Sequence, residues 1–268
     1  MRTVPSCLLL ASLLLGCVLE AIASPPGRVF KLAALSSDNH LVVFNSDAPS
    51  TATSVTISGT DSPLTGIDLR ASNQKLYGLS DANTIYVVDP LSGVATRVSK
   101  LSSDFRGGME SGFDFNPQSD KLRVVAATGQ NLRVTAEVGA VAIDGPLTYA
   151  LSDVHGGRRP AVTAAGYTNS VPKARNTILY VIDYQRDVLL QQDPPNEGVL
   201  TTVGKLGVDC NAAIGFDIAT DERRTNHAFM VCKSELYRLD INTGAAQSLG
   251  KIGGSFSEYV SLAVLSEP

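Results

Sequence analysis

The chain has 268 residues, a formal net charge of −4, 18% charged and 44% hydrophobic side chains. That balance excludes the basic surface that nucleic acid or an anionic membrane requires, and it excludes intrinsic disorder. The length suits one large all-β domain or two small ones, and aromatics at 6% with no Trp leave little for stacking on sugars or bases.

The first residues read as an export signal. Arg2 supplies a short positive region, Leu8–Leu19 is a largely apolar run, and Ala21-Ile22-Ala23 forms a small-x-small cleavage site before Ser24. About a dozen apolar residues are too few to span a bilayer. Residues 1–23 are therefore expected to be a secretory signal peptide, and residues 24–268 a single exported domain with no membrane span. The alternative is a bacterial lipoprotein anchored through Cys17, because Leu14-Leu15-Gly16-Cys17 resembles a lipobox. Val18 and Leu19 continue the apolar run and speak against it. Removing residues 1–23 leaves Cys210 and Cys232, which an oxidising compartment is expected to pair. The chain has no Asn-x-Ser/Thr sequon, so N-glycosylation has no acceptor.

Val29–Leu35, His40–Asn45 and Ser54–Ser58 read as three strands with no strand before them. A four-strand unit then begins at Gly66-Ile67-Asp68, continuing through Lys75–Leu79 and Thr84–Asp89. The clearest copy is Gly112–Leu147, where Val, Leu and Phe runs are cut every eight to ten residues by Gly, Pro, Asn and Asp. Its opening Gly-Phe-Asp returns as Gly215-Phe216-Asp217 and, weakly, as Gly166-Tyr167-Thr168. Spacings of 46, 54 and 49 residues are blade-sized. The turns Asp89–Gly93 and Asp240–Gly244 also match, with Asp opening the turn and Gly taking its left-handed position. Tyr259–Leu265 is a lone strand where another first strand belongs. The economical solution is a five-bladed β-propeller in which that C-terminal strand closes the blade begun at Val29, removing open edges. A six-bladed propeller or a pair of β-sandwiches are the alternatives.

The segments Asp114-Phe115-Asn116-Pro117, Asp120–Val125 and Thr128–Arg133 resemble the DUF4394 family, a domain of unknown function. Ala164–Asn169, Pro194–Gly198 and Val203–Val208 are similar to that family too, so the resemblance covers nearly the whole chain after residue 23. It implies an exported, propeller-like β domain and transfers no catalytic residue.

Three sets of side chains could carry chemistry. Asp68, Asp114 and Asp217 sit on first strands, nearest the propeller axis, where carboxylates could hold a calcium ion or serve as acid and base in hydrolysis. Repetition once per blade favours an architectural role, each Asp accepting backbone hydrogen bonds from the next blade, with Thr168 and Ser261 in the other two blades. The unrepeated polar residues of the third blade, Asn116, Arg123, Gln130, Asn131 and Arg133, with Tyr167 and Asn169, are the expected ligand-binding set, since paired Arg and amides suit a carboxylate or phosphate. The competing expectation is an internal Arg–Asp network. His40, His155 and His227 lack ligand spacing, and no Gly-x-Ser-x-Gly elbow is present. The sequence thus points to a monomeric, secreted propeller that binds a small molecule or an extracellular partner. The rival is a propeller hydrolase or lactonase built on the axial carboxylates, with calcium as its cofactor.

Overall fold

A computed structural model describes residues 28–256 and 258–266. The expected signal peptide and the Cys17 anchor lie outside them. Strands alternate with turns and loops of two to twelve residues, and the chain makes five small sheets. The first blade joins β1 (Lys31–Ser36), β2 (His40–Asn45) and β3 (Thr53–Thr56) to the last strand, β21 (Tyr259–Ser266), in the order β21-β1-β2-β3. The second runs β4 (Leu64–Arg70), β5 (Lys75–Ser80), β6 (Thr84–Val88) and β7 (Ala95–Lys100). The third runs β8 (Ser111–Asn116), β9 (Lys121–Ala126), β10 (Asn131–Thr135) and β11 (Ala140–Ile143). The fourth contains β13 (Val162–Tyr167), β14 (Leu179–Asp183), β15 (Val188–Gln192) and β16 (Val199–Lys205), and β12 (Thr148–Tyr149) is added to its outer edge. The fifth runs β17 (Ile214–Thr220), β18 (Asn226–Cys232), β19 (Glu235–Leu239) and β20 (Ala246–Lys251). This is a five-bladed propeller, closed as the missing first strand required.

The ring is held where blades face one another. Five apolar clusters occupy the five interfaces; one of them, for instance, packs Phe30, Leu32 and Phe44 of the first blade on Phe229 and Val231 of the fifth. Sheets covered on both faces need apolar residues at consecutive positions rather than alternate ones. Leu179–Asp183 is accordingly buried at every residue. Near the axis the wedge-shaped blades converge, and side-chain volume there must fall. A Cβ on Gly66 would lie 2.6 Å from Cβ of Phe113, and one on Gly112 would lie 2.7 Å from the Ala164 carbonyl carbon. The glycine of the repeated Gly-Phe-Asp is thus dictated by close approach of neighbouring first strands.

A second repeated contact ties the outer rim. After its fourth strand each blade reaches the outer turn of the next. Ser58 bonds Gly93 and Ala95, Ser102 bonds Gly139, Thr148 bonds Gly198, and Leu206 bonds Ala246. Gly93, Gly139, Gly198 and Gly244 take the same turn position with φ of 73°, 68°, 71° and 80°, which explains the repeated turn chemistry. β12 is the enlarged form of this contact, pairing in parallel with β16 over two residues. The long junction between the third and fourth blades therefore contains a short strand.

Cys210 and Cys232 form a disulfide with a Cα–Cα distance of 5.7 Å, joining the entry of β17 to the end of β18 across a separation of 22 residues. Constraint of that loop in the unfolded chain is worth about 3 kcal/mol. Replacing both cysteines by Ser is expected to lower Tm by roughly 6–12 °C, at about 2–4 °C per kcal/mol for a chain of this size. A change of a degree or two would show that the bridge adds nothing to the fold.

Ring closure should matter more. Tyr259, Val260, Leu262 and Val264 are buried, and burial of side chains of this size is worth about 1.5–3 kcal/mol each. Their sum rivals the roughly 5–15 kcal/mol that holds a whole domain. Deleting residues 259–268 is expected to abolish the cooperative melting transition, measured by circular dichroism. Retention of a transition near the intact Tm would overturn the closure argument.

Candidate functional site

Two polar assemblies lie inside the ring. The first surrounds Arg123, whose place on β9 puts it opposite Arg133 on β10. Arg123 is 2% exposed. Its guanidinium donates to Asp144 at 2.6 Å, to Asn131 at 2.7 Å and to Asn196 at 2.8 Å, and its Nε lies 3.4 Å from the Tyr167 hydroxyl. Arg133 donates to both oxygens of the same Asp144, at 2.7 and 2.9 Å. Burial disfavours the charge on Asp144, yet hydrogen bonds from Arg133 and Arg123 hold its carboxyl below the usual range. The Asn131 amide donates in turn to the carbonyls of Gly145 and Pro195, so the network joins the third blade to the loop after β15.

Arg123, Asn131, Arg133 and Tyr167 are thus brought together, and three other expected ligand residues are not. Asn116 caps the turn after β8, accepting from the amides of Gln118 and Ser119. Gln130 bridges the Arg106 amide and the Asp104 carbonyl. Asn169 pairs with Asn176 and Asn226 at the junction with the fifth blade.

The second assembly is axial. Asp68, Asp114 and Asp217 are all buried, and one carboxyl oxygen from each lies within 4.8 Å of the others. Each accepts from the backbone of the next blade. Asp68 takes the Phe115 amide at 2.8 Å, Asp114 takes the Tyr167 amide, and Asp217 takes the Val264 amide at 2.6 Å. The same register puts Gly166 and Ala263 at the matching positions of the fourth and first blades, rather than Thr168 and Ser261. Thr168 accepts from the Ile178 amide of its own blade, and Ser261 bonds both backbone groups of Ile67. Two blades therefore lack an axial carboxylate, and the amides they would have served turn to a carboxyl of their own blade. Ile218 donates to Asp217 at 2.5 Å, and Leu69 donates to Asp68. Five axial amides share three carboxyls.

Among the described residues no basic side chain pairs with any of the three. Two unit charges 4.8 Å apart repel by about 3.5 kcal/mol at an effective dielectric constant of 20. Burial first, and the neighbouring carboxylates second, push Asp68 and Asp114 well above the ordinary carboxyl range. Burial raises Asp217 to about 6. Carboxyls buried this close together favour keeping a proton among them over carrying a charge each.

Asp68 and Asp217 also form the floor of a cavity of about 330 Å³, open at the end of the ring where the first strands finish. Phe30, Phe115, Ile218 and Val264 wall it, and Val171 and Glu222 stand among the residues around its opening. The profile of the family described as "Domain of unknown function (DUF4394)" matches residues 40–263. The chain belongs to the DUF4394 family.

No curated protein matches this DUF4394 chain. Among solved structures, a structural genomics protein of unknown function from Bacteroides thetaiotaomicron VPI-5482 is similar over 90% of this chain and 65% of its own, with 17% identity and a TM-score of 0.54. A protein of unknown function from Bacteroides caccae is similar over 86% of this chain and 77% of its own, at 10% identity and a TM-score of 0.44. YCF48 bound to D1 peptide covers 81% and 63%, at 12% identity and 0.40. Such likeness concerns the fold alone, and the chain spans a little under two thirds of the first and last of these proteins.

Arg123→Ala is expected to cost about 3–5 kcal/mol, because it deletes a fully buried side chain, leaves Asp144 only the partly exposed Arg133 and strands the Asn196 oxygen. Arg133, 39% exposed, should cost about 1 kcal/mol when changed to Ala. Chemical denaturation of the two variants measures both. A loss below 1 kcal/mol for Arg123→Ala would mean that its guanidinium serves something other than the fold.

Proposed function

We propose that this chain is an exported binding propeller that takes a small molecule into the axial cavity. The observation that carries the reading is the cavity itself: about 330 Å³, walled by aromatic and aliphatic side chains, with hydrogen-bonding carboxyls of perturbed titration at its floor. That combination of concave apolar wall and a few convergent polar groups is what small-molecule sites generally present. Its ionisable lining is acidic, which favours ligands that are neutral or cationic over anions. Export rests on the expected signal peptide, with the Cys210–Cys232 disulfide compatible with an oxidising compartment. Among the described residues no helix is long and apolar enough to cross a membrane.

The hydrolase alternative has less support from the geometry. A glycosidase needs one carboxyl free as acid and another free as base or nucleophile. Here every axial carboxyl already holds a backbone amide of the next blade. The Arg123 set is the second place where ligand contact was expected from sequence, and its guanidinium is engaged within the fold at each nitrogen.

A thermal-shift screen of small amines, sugars and carboxylic acids tests the proposal. A true ligand at one hundred times its Kd should add about 2.7 kcal/mol, a rise in Tm of roughly 5–10 °C. Val171→Trp, placed at the half-buried opening, should abolish the rise while leaving the unliganded Tm near the wild-type value. Hits that stabilise both proteins equally, or no hit in any class, would sink the cavity as the binding site.

A further inference from the structure

We propose that the three axial carboxyls act as a proton-held latch, so that the ring is tightest in acid and loosens as the pH rises. The geometry comes first. Five inner-strand amides, those of Leu69, Phe115, Tyr167, Ile218 and Val264, one from each blade, converge on three carboxyls and bridge three blade junctions. Asp68, Asp114 and Asp217 place oxygens within 4.8 Å of one another. A proton kept by one of them leaves the amide bonds intact and removes a like-charge contact. Without it, like charges face one another across less than 5 Å of protein interior.

Among the described residues, no ion pair or hydrogen bond brings a basic group to them. On β4, Arg70 turns away to Asp120 and Glu137, with Tyr77 of β5 beside it. From β9, Arg123 turns to Asp144 and meets the hydroxyl of Tyr167, the titratable residue of β13. On β21 the titratable residue is Tyr259, which packs against Phe256. His227 of β18 is paired with Asp221, and Glu222 at the cavity mouth with Arg28.

The direction of the effect follows from linkage. All three carboxyls titrate above their unfolded value, so the folded ring holds more protons than the unfolded chain. Stability is then fully present below the unfolded carboxyl range and is lost as pH rises through about 6, where Asp217 titrates, and beyond. The latch stands with or without a ligand, so it goes beyond the binding reading and fails separately from it. Asp68 and Asp217 also floor the cavity, and where the binding reading holds, the same protons set the charge a ligand meets.

The test is the melting temperature of the full exported chain between pH 5.5 and 8.5, with and without calcium chloride, for wild type and Asp114→Asn. The Asn side chain can still accept from the Tyr167 amide, carries no charge and has no proton to lose. Wild type is expected to lose at least about 5 °C across the range, since even one released proton is enough for that shift. Asp114→Asn should match it at pH 5.5 and exceed it at pH 8.5. Three results overturn the proposal. One is a wild-type profile that is flat or rises with pH, which decides the matter even if the variant fails to fold. Another is a folded variant destabilised equally at both ends of the range. The third is a wild-type loss at pH 8.5 that calcium restores and Asp114→Asn abolishes, which would make the neutralising species a metal ion rather than protons.

Discussion

The architecture depends on how closely the first strands of neighbouring blades can approach around the axis. Gly66, Gly112 and Gly215 stand where any β-carbon would collide with the next blade, and Ala164 and Ser261 are the small residues that meet two of those glycines. Once the strands are that close, their backbones come within reach of one another's side chains. The carboxyl two residues after each glycine can then hold an amide of the next blade. Close packing and hydrogen bonding at the axis are thus one constraint, and Gly-Phe-Asp is the short sequence that satisfies both. The aromatic residue between them faces the opposite way, into the apolar interface.

Symmetry stops short of being perfect, and the departures give the axis its chemistry. Five equivalent carboxyls would have placed five like charges in one buried ring. The chain instead puts Gly166 and Ala263 at two of the positions, and the remaining three carboxyls serve all five amides. What remains is a group small enough to be satisfied by shared protons and large enough for its neighbours to perturb each titration. An axial cavity with Asp68 and Asp217 at its floor is the exposed side of that arrangement.

Much of the fold was legible in the sequence because its punctuation is periodic. Turn residues recur at fixed offsets, and the absence of a strand before Val29 together with the surplus at Tyr259 implied the closure seen between β1 and β21. The cysteine pair was legible for a related reason, since both residues flank one hairpin. The fourth blade misled, because Ala164-Ala165-Gly166 carries neither the glycine nor the acid in the expected place. Ala164 and Gly166 stand where the other blades have the glycine and the acid, so Gly166-Tyr167-Thr168 imitated the motif two residues late. Two partners of Arg123, Asn131 and Tyr167, stood in the expected set, but its acid and its loop partner were not legible. Asp144 and Asn196 are 21 and 73 residues away, and no local pattern marks either as the acceptor. The sharing of five amides among three acids is likewise a property of convergence at the axis, which one-dimensional spacing does not express.

Pairing β1 with β21 also sets an order of events. Residues 31–36 are among the first of the described segment to be synthesised, and their inner partner, residues 259–266, comes last. Blades two to five can each form from contiguous chain as it emerges, whereas the first must wait with an unpaired strand edge and half an interface uncovered. The final step of folding is therefore long-range and slow compared with the local hairpins, and the exposed edge of β1 is where a helper protein or an unwanted neighbour would have its opportunity.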